Sequence, residues 1–388
     1  METADGNPRT GLFQSGGLSS LAVGVWLRET SVPARHYIAD IGQSDRGELD
    51  LLASSLRDSG AEVVTVDLRA PMAAVASDLL RYRARHDGGY WNTTGASRFV
   101  LVGELLPRMR ADGCETFVHG CVGGGNDQRR FARYGARIAP EMCRVEPWTD
   151  PRALGRFPDR AAMVKAVAEH GLRLDRGSSA DRSTDAGLAG ASHESSELED
   201  LETPVTRLRP RWSAWPHEAP AEPETVTVVV RDGRIADVGG SGPDPVEWMA
   251  AANTIGARHG VWLRDVVERR IVGTVCRGIY ESPGLELLER AWTRVLQAGL
   301  DAAGRELYDR LSAVLGAAMY EGRWLEPAAR AAREAVDRLV GDLGGSVTLS
   351  VHRGVVRPEG MKVASHVVRQ TRFGSGGNRW SGEGGGDA

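Results

Sequence analysis

The chain has 388 residues, 41% of them hydrophobic and 26% charged, with a formal charge of −4. That is length for two domains with proper cores and an ordinary globular balance. The charge gives no global reason to expect nucleic acid as a partner, no apolar run reaches a membrane span, and no basic-then-apolar leader opens the chain.

Strand-like and helix-like runs alternate through the first part. An apolar run, Gly11-Leu12-Phe13, leads into Ser15-Gly16-Gly17-Leu18-Ser19-Ser20 and a helix over Ser19–Glu29. Strands are predicted at Ala34–Ile41, Ala61–Val66, Thr116–His119 and Cys143–Glu146, and helices at Glu48–Ser59, Ala73–Arg85, Phe99–Asp112 and Asp159–His170. Such alternation predicts a parallel sheet covered on both faces. From Asp175 to Glu202 the chain turns polar and small, the composition of a flexible linker. Beyond it, Thr225–Val230 and Ile235–Val238 flank a turn and form a hairpin. A helix follows over Pro245–His259, then a strand over Arg264–Thr274. Long helical stretches run from Gly284 to about Leu315 and from Pro327 to Leu343, and Ser346–His352 closes the pattern as a strand. The fold class predicted is α/β, with residues 1–170 as a nucleotide-binding domain, 171–365 as an α+β second domain and 366–388 as a disordered tail.

The cysteines, Cys114, Cys121, Cys143 and Cys276, lack metal-ligand spacing and read as reduced thiols in a cytoplasmic protein. The chemistry concentrates in two glycine-bearing loops. Ser15 to Ser20 stands between a strand and a helix, where converging backbone N–H groups and the positive helix end suit a phosphate. His119-Gly120-Cys121-Val122-Gly123-Gly124-Gly125-Asn126-Asp127-Gln128-Arg129-Arg130-Phe131 again places glycines at a strand end. A lone Gly-Gly pair is more often a plain tight turn. Two such loops at strand ends suit a nucleotide and a molecule reacting with it.

The pattern Ser-Gly-Gly-x-x-Ser resembles the pyrophosphate loop of ATP pyrophosphatases. Together with Asp40-Ile41-Gly42-Gln43 and Gly125-Asn126-Asp127-Gln128-Arg129-Arg130-Phe131, the chain resembles the argininosuccinate synthase family to about residue 360. The resemblance implies an ATP pyrophosphatase-type domain, a synthetase domain and a homotetramer. It implies ATP with Mg2+ and no tightly bound cofactor. The reaction implied is adenylation of the citrulline ureido oxygen with release of pyrophosphate, followed by displacement of AMP by the aspartate amine.

Carried over by position, the resemblance implies ATP contacts at Ser15, Gly16, Gly17, Ser20, Ala39 and Gly120. Citrulline would meet Tyr90, Asn126, Arg130, Ser183, Ser192, Glu268 and Tyr280; aspartate would meet Thr94, Val122, Asn126 and Asp127, with Arg98 supporting that loop. Asp127 and Arg130 are the catalytic candidates, a planar guanidinium being suited to a carboxylate. Taken singly, the tyrosines are equally half-buried aromatics, Arg130 a surface helix arginine and Glu268 part of an exposed strand pair.

Departures cluster on the phosphate and aspartate side. Ser19 replaces an acid, Gln14 a tyrosine, Val122 a threonine, Gly124 a lysine, and Ala189 and Ala191 a tryptophan and an arginine. A paralogue with another amine or ureido substrate, and a silent ligand-binding relative, are the alternatives those departures leave open.

Overall fold

The structure, a computed structural model, describes residues 9–43, 46–172 and 183–363, with only the backbone of Arg46 and Ser183. The predicted tail and residues 175–182 of the predicted linker lie outside the described residues.

The first part runs β1 (Thr10–Phe13), α1 (Leu18–Glu29), β2 (Ala34–Asp40), α2 (Arg46–Asp58), β3 (Glu62–Asp67), α3 (Arg69–Arg81), α4 (Thr93–Ala111), β4 (Thr116–His119), α5 (Asn126–Ile138), β5 (Cys143–Val145), α6 (Pro151–Arg156) and α7 (Arg160–Glu169). Its strands form a parallel sheet in the order β3-β2-β1-β4-β5. β1 is buried along its whole length, as a strand covered by helices on both faces must be. The order reverses between β1 and β4. Loops leaving the carboxyl ends of two strands diverge there and leave a crevice, the usual ligand site of open α/β sheets.

The second part runs β6 (Ser183–Gly187), β7 (Gly190–Glu194), α8 (Ser196–Glu199), β8 (Glu224–Arg231), β9 (Arg234–Val238), α9 (Pro245–Arg258), β10 (Leu263–Arg269), β11 (Val275–Glu281), α10 (Pro283–Gly299), α11 (Ala302–Tyr320), α12 (Pro327–Val340), β12 (Gly345–His352) and β13 (Val355–Val363). Two antiparallel sheets result, β10-β11-β7-β6 and β13-β12-β8-β9. β12 alternates buried and half-buried residues along its length, the signature of a sheet with one face on a core.

Several sequence expectations need correction. The polar segment predicted as a linker is, from Ser183 onward, the hairpin β6–β7. The small residues that suggest flexibility in the sequence line a strand pair covered by Ile41 and by α4. The strand predicted over Arg264–Thr274 stops at Arg269: residues 270–274 are the turn that leads into β11, a strand outside the predicted range. The stretch from Gly284 to Leu315 breaks at Leu300-Asp301, and the Asp301 side chain caps α11 by accepting from Gly304 N–H at 2.7 Å. α10 is apolar on several faces because the chain's own α9, α3 and second sheet surround it. β13 was not anticipated.

The two parts pack together through α3. Arg81, only 6% exposed, donates to Asp337 and to the carbonyls of Asp232 and Gly233, and Arg234 reaches Asp78 at 2.8 Å.

Candidate functional site

The phosphate loop is built from one strand, one turn and one helix. Gly16 sits at φ +80°, in the left-handed region that only glycine enters without strain. Gly17 is the N-cap of α1, and no side chain caps it, so its first-turn amides and positive end suit an anion. Gln14 organises the turn. Its Oε1 accepts from Gly16 N–H at 3.0 Å and from the Ser20 hydroxyl at 2.5 Å, and its Nε2 lies 3.3 Å from His36 Nδ1. Ser15 and Ser20 hydroxyls stand 3.0 Å apart. Burial lowers the His36 pKa to about 4, so the ring is neutral near pH 7 and its Nδ1 can accept from Gln14. Ala39, at the predicted adenine contact, is buried on β2, and its carbonyl accepts from Gln43 Nε2 at 2.7 Å.

The second loop leaves β4 on the neighbouring strand. A Cβ at Gly120 would fall 2.7 Å from Ser20 Cα. Only glycine therefore lets the two loops touch. His119 accepts from Cys121 N–H on Nδ1, and burial lowers its pKa to about 4. Burial also pushes the Cys121 thiol upward, which keeps it a thiol and not a nucleophile. Val122 is 65% exposed.

α5 begins at Asn126, so Asn126, Asp127 and Arg130 share its first turns. Asp127 is held in a fork: Oδ2 accepts from Arg98 Nε at 3.1 Å and Nη2 at 2.9 Å, and Oδ1 from Arg130 Nη1 at 2.8 Å. Burial opposes its charge, but the two guanidiniums outweigh that and hold its carboxyl below the usual aspartate range. Arg98 also reaches Asp185 of β6 at 2.7 Å. The Arg98 guanidinium thus ties the hairpin β6–β7 to α5.

Beside this charge chain lies an aromatic cluster. Tyr90 and Tyr280 stack with ring centroids 3.7 Å apart and planes at 16°. The Tyr90 hydroxyl accepts from Thr94 N–H at 2.9 Å, and Thr94 Oγ1 is 3.3 Å from Ser192 Oγ. Tyr320, the last residue of α11, donates its hydroxyl to Glu268 Oε1 at 2.8 Å and accepts from Asn126 Nδ2 at 3.0 Å. The Tyr320 carbonyl accepts from Arg130 Nε at 2.7 Å. The other Glu268 oxygen, Oε2, is buried without a hydrogen-bond partner, an arrangement that costs free energy until a donor arrives.

The sequence-predicted residues thus fall into two groups. Ser15, Gly16, Gly17, Ser20 and Gly120 meet where β1 and β4 end. Tyr90, Thr94, Asn126, Asp127, Arg130, Ser192, Glu268 and Tyr280 join one network of contacts. Arg130 is no surface arginine, being 3% exposed, and Glu268, 4% exposed, is no exposed strand residue. Val122 points out of this network, and the Ser183 side chain lies outside the described residues. Sequence reasoning missed Tyr320, Asp185 and the organising role of Gln14. Asp185 sat in a motif that could have suggested it; Tyr320 ended an amphipathic helix with no local signal.

Two phosphate-suited loops at the switch point of a parallel sheet, beside a buried polar cluster to which both parts of the chain contribute, define an architecture suited to a nucleotide-dependent enzyme. The sequence matches the arginosuccinate synthase N-terminal HUP domain over residues 9–168 and the arginosuccinate synthase C-terminal domain over residues 182–371. The chain belongs to the argininosuccinate synthase family, a family of ATP-dependent ligases whose HUP domain binds ATP. Among solved structures it is also similar to "predicted subunit of tRNA methyltransferase from Methanocaldococcus jannaschii DSM", at 12% identity over 42% of this chain and 89% of that one, with a TM-score of 0.26; a likeness that slight carries no argument. Among the described residues no helix is long and apolar enough to cross a membrane.

Proposed function

We propose that the protein adenylates the ureido oxygen of citrulline with ATP, releasing pyrophosphate, and that the amine of aspartate then displaces AMP to give argininosuccinate. The observation that carries this reading is the contact at Gly120. It sets the phosphate loop of β1 against the loop that opens α5, so a nucleotide α-phosphate held at one lies beside a substrate held by the other. Two nitrogens feed electron density into a ureido carbon, making it a poor electrophile; converting its oxygen to an AMP leaving group removes that difficulty. The protein's part is positioning and charge stabilisation.

The roles follow the geometry. Ser15, Gly16, Gly17, Ser20 and Gly120 hold the phosphates, with Ala39 beside the adenine. Mg2+ enters as part of the nucleotide, since among the described residues no three acidic, histidine or cysteine side chains converge as a cage. Arg130 takes the citrulline carboxylate, with Tyr90, Asn126, Ser183, Ser192, Glu268 and Tyr280 around the rest. Asp127 and Asn126 orient the aspartate ammonium, with Thr94 near its carboxylates. The division of labour falls near residue 170, and the protein works in the cytoplasm as a homotetramer.

A second reading has its own observation: Val122 presents an exposed apolar side chain where the aspartate site would gain a hydroxyl. On that reading the amine substrate is not aspartate. Pyrophosphate release assayed over a panel of ureido compounds and amines decides. Turnover with citrulline and aspartate supports the first reading, turnover only with another pair supports the second, and ATP binding without turnover defeats both.

A further inference from the structure

We infer that Tyr320 is the positioning residue of the ureido pocket, aiming Glu268 Oε2 at the N–H donors of the substrate. The inference rests on the functional reading above.

Five observations converge on this one side chain. Its hydroxyl donates to Glu268 Oε1 and accepts from Asn126 Nδ2, so one phenol fixes two residues from different parts of the fold. Asn126 is fully oriented as a result, because its Oδ1 accepts from Ile271 N–H at 3.0 Å. The ring stacks on His86 at 3.5 Å and 13°, and meets Tyr90 edge-on at 6.3 Å. The Arg130 guanidinium lies over the ring at 5.0 Å while donating to its backbone carbonyl. That carbonyl ends a helix and needs an outside donor. Lastly, Glu268 Oε2 is left buried and unpartnered.

A carboxylate with one oxygen clamped by the Tyr320 phenol, and with the Tyr280 hydroxyl interacting beside it, presents its remaining acceptor capacity in a fixed direction. That suits an N–H donor of the substrate, its ammonium or a ureido nitrogen, and it suits a carbonyl or carboxylate poorly. The placement depends on a close approach. A Cβ at Gly95 would come 2.8 Å from Met319 O, so a small residue near the start of α4 is what allows the end of α11 to lie against Tyr90. The phenol is 1% exposed, out of reach of bulk solvent, which leaves its two hydrogen bonds to set its orientation.

Tyr320→Phe keeps the stacking and deletes both hydroxyl bonds. Full-length protein is assayed for pyrophosphate release with L-citrulline, L-aspartate and ATP. KM for citrulline should rise about 10- to 100-fold, as expected for losing a hydrogen bond to a charged group, with KM for ATP within about twofold. Adding Tyr320→Phe to Glu268→Gln should then cost little more than Glu268→Gln alone, because a residue acting through Glu268 has nothing left to position. An unchanged citrulline KM in Tyr320→Phe, or losses that multiply in the double variant, overturns the inference. If the variant is too unstable to assay, Tyr320→Trp, which keeps a ring and one N–H donor, should bind citrulline better than Tyr320→Leu; equal binding overturns it too. If the wild-type protein itself neither binds citrulline nor turns it over, the functional reading falls, and this role with it.

Discussion

The phosphate side and the ureido side of the site are built in different ways. The phosphate loop is local: Gln14, Gly16, Gly17 and Ser20 lie within seven residues of one another, and the hydrogen bonds among them follow from one strand turning into one helix. The ureido side is assembled from far apart. Asn126 meets Tyr320 across 194 positions and Tyr320 meets Glu268 across 52. The first can be read as a motif. The second depends on the packing of α4, α5, α11 and β10, so a change at any one element is felt by the others.

The contrast breaks most sharply at Gly120, where the two regions touch. Gly120→Val should abolish binding of a non-hydrolysable ATP analogue by calorimetry, a loss exceeding about 100-fold, because the new side chain drives into the Ser20 backbone. Affinity within a few-fold of wild type would show that the loop contact does not build the nucleotide site.

Acid should separate the regions next. His36 and His119 both lie in the parallel-sheet part, each lowered by burial to about 4 from an ordinary 6.5. Between those values the unfolded chain binds protons that the folded chain refuses. Their contribution is therefore complete above pH 6.5 and lost as pH falls toward 4, by about 3 kcal/mol for each histidine. Urea denaturation from pH 7 to 4 should show this slope, and His119→Gln should flatten it. A slope unchanged in that variant removes His119 from the account. Asp127 acts in a lower window. Its carboxyl is depressed below 3.8, so its stabilisation is whole above that value and disappears only as pH falls further.

A smaller effect tests the far side. Arg130→Ala should weaken citrulline binding by about 2–3 kcal/mol while Asp127 keeps Arg98 as a partner. Affinity for the ATP analogue should hold, since no phosphate-loop contact involves Arg130. Equal losses for both ligands would mean that the two regions are one cooperative unit. Smallest of all, Ser19→Asp places a carboxylate in the first turn of α1, where the helix dipole favours it by about 0.3–1 kcal/mol. Thermal unfolding should register that gain. A rise in pyrophosphate release beside it would show that the loop still handles a magnesium-bound phosphate in the family manner; a fall would show a loop rebuilt around Gln14.

The sequence by itself determined the parallel-sheet half, because buried strands alternating with amphipathic helices write their period into the chain. It also marked the phosphate loop and the glycine loop before α5, where glycines meet backbone requirements that few other residues can, although α5 itself was not among the predicted helices. It misjudged the segment from Ser183 to Glu194, whose small polar residues read as a linker although the Arg98–Asp185 pair and the cover of Ile41 make it a strand pair. Arg130 and Glu268 were legible as types but not as buried groups. Burial is a property of what the rest of the chain places above a residue. Only the tertiary structure decided that Tyr320 belongs to the site. A tyrosine ending a helix has the same local pattern whether it faces solvent or a carboxylate. What separates the two cases is the approach of α11 to α4 at Gly95, a contact between segments more than 200 residues apart.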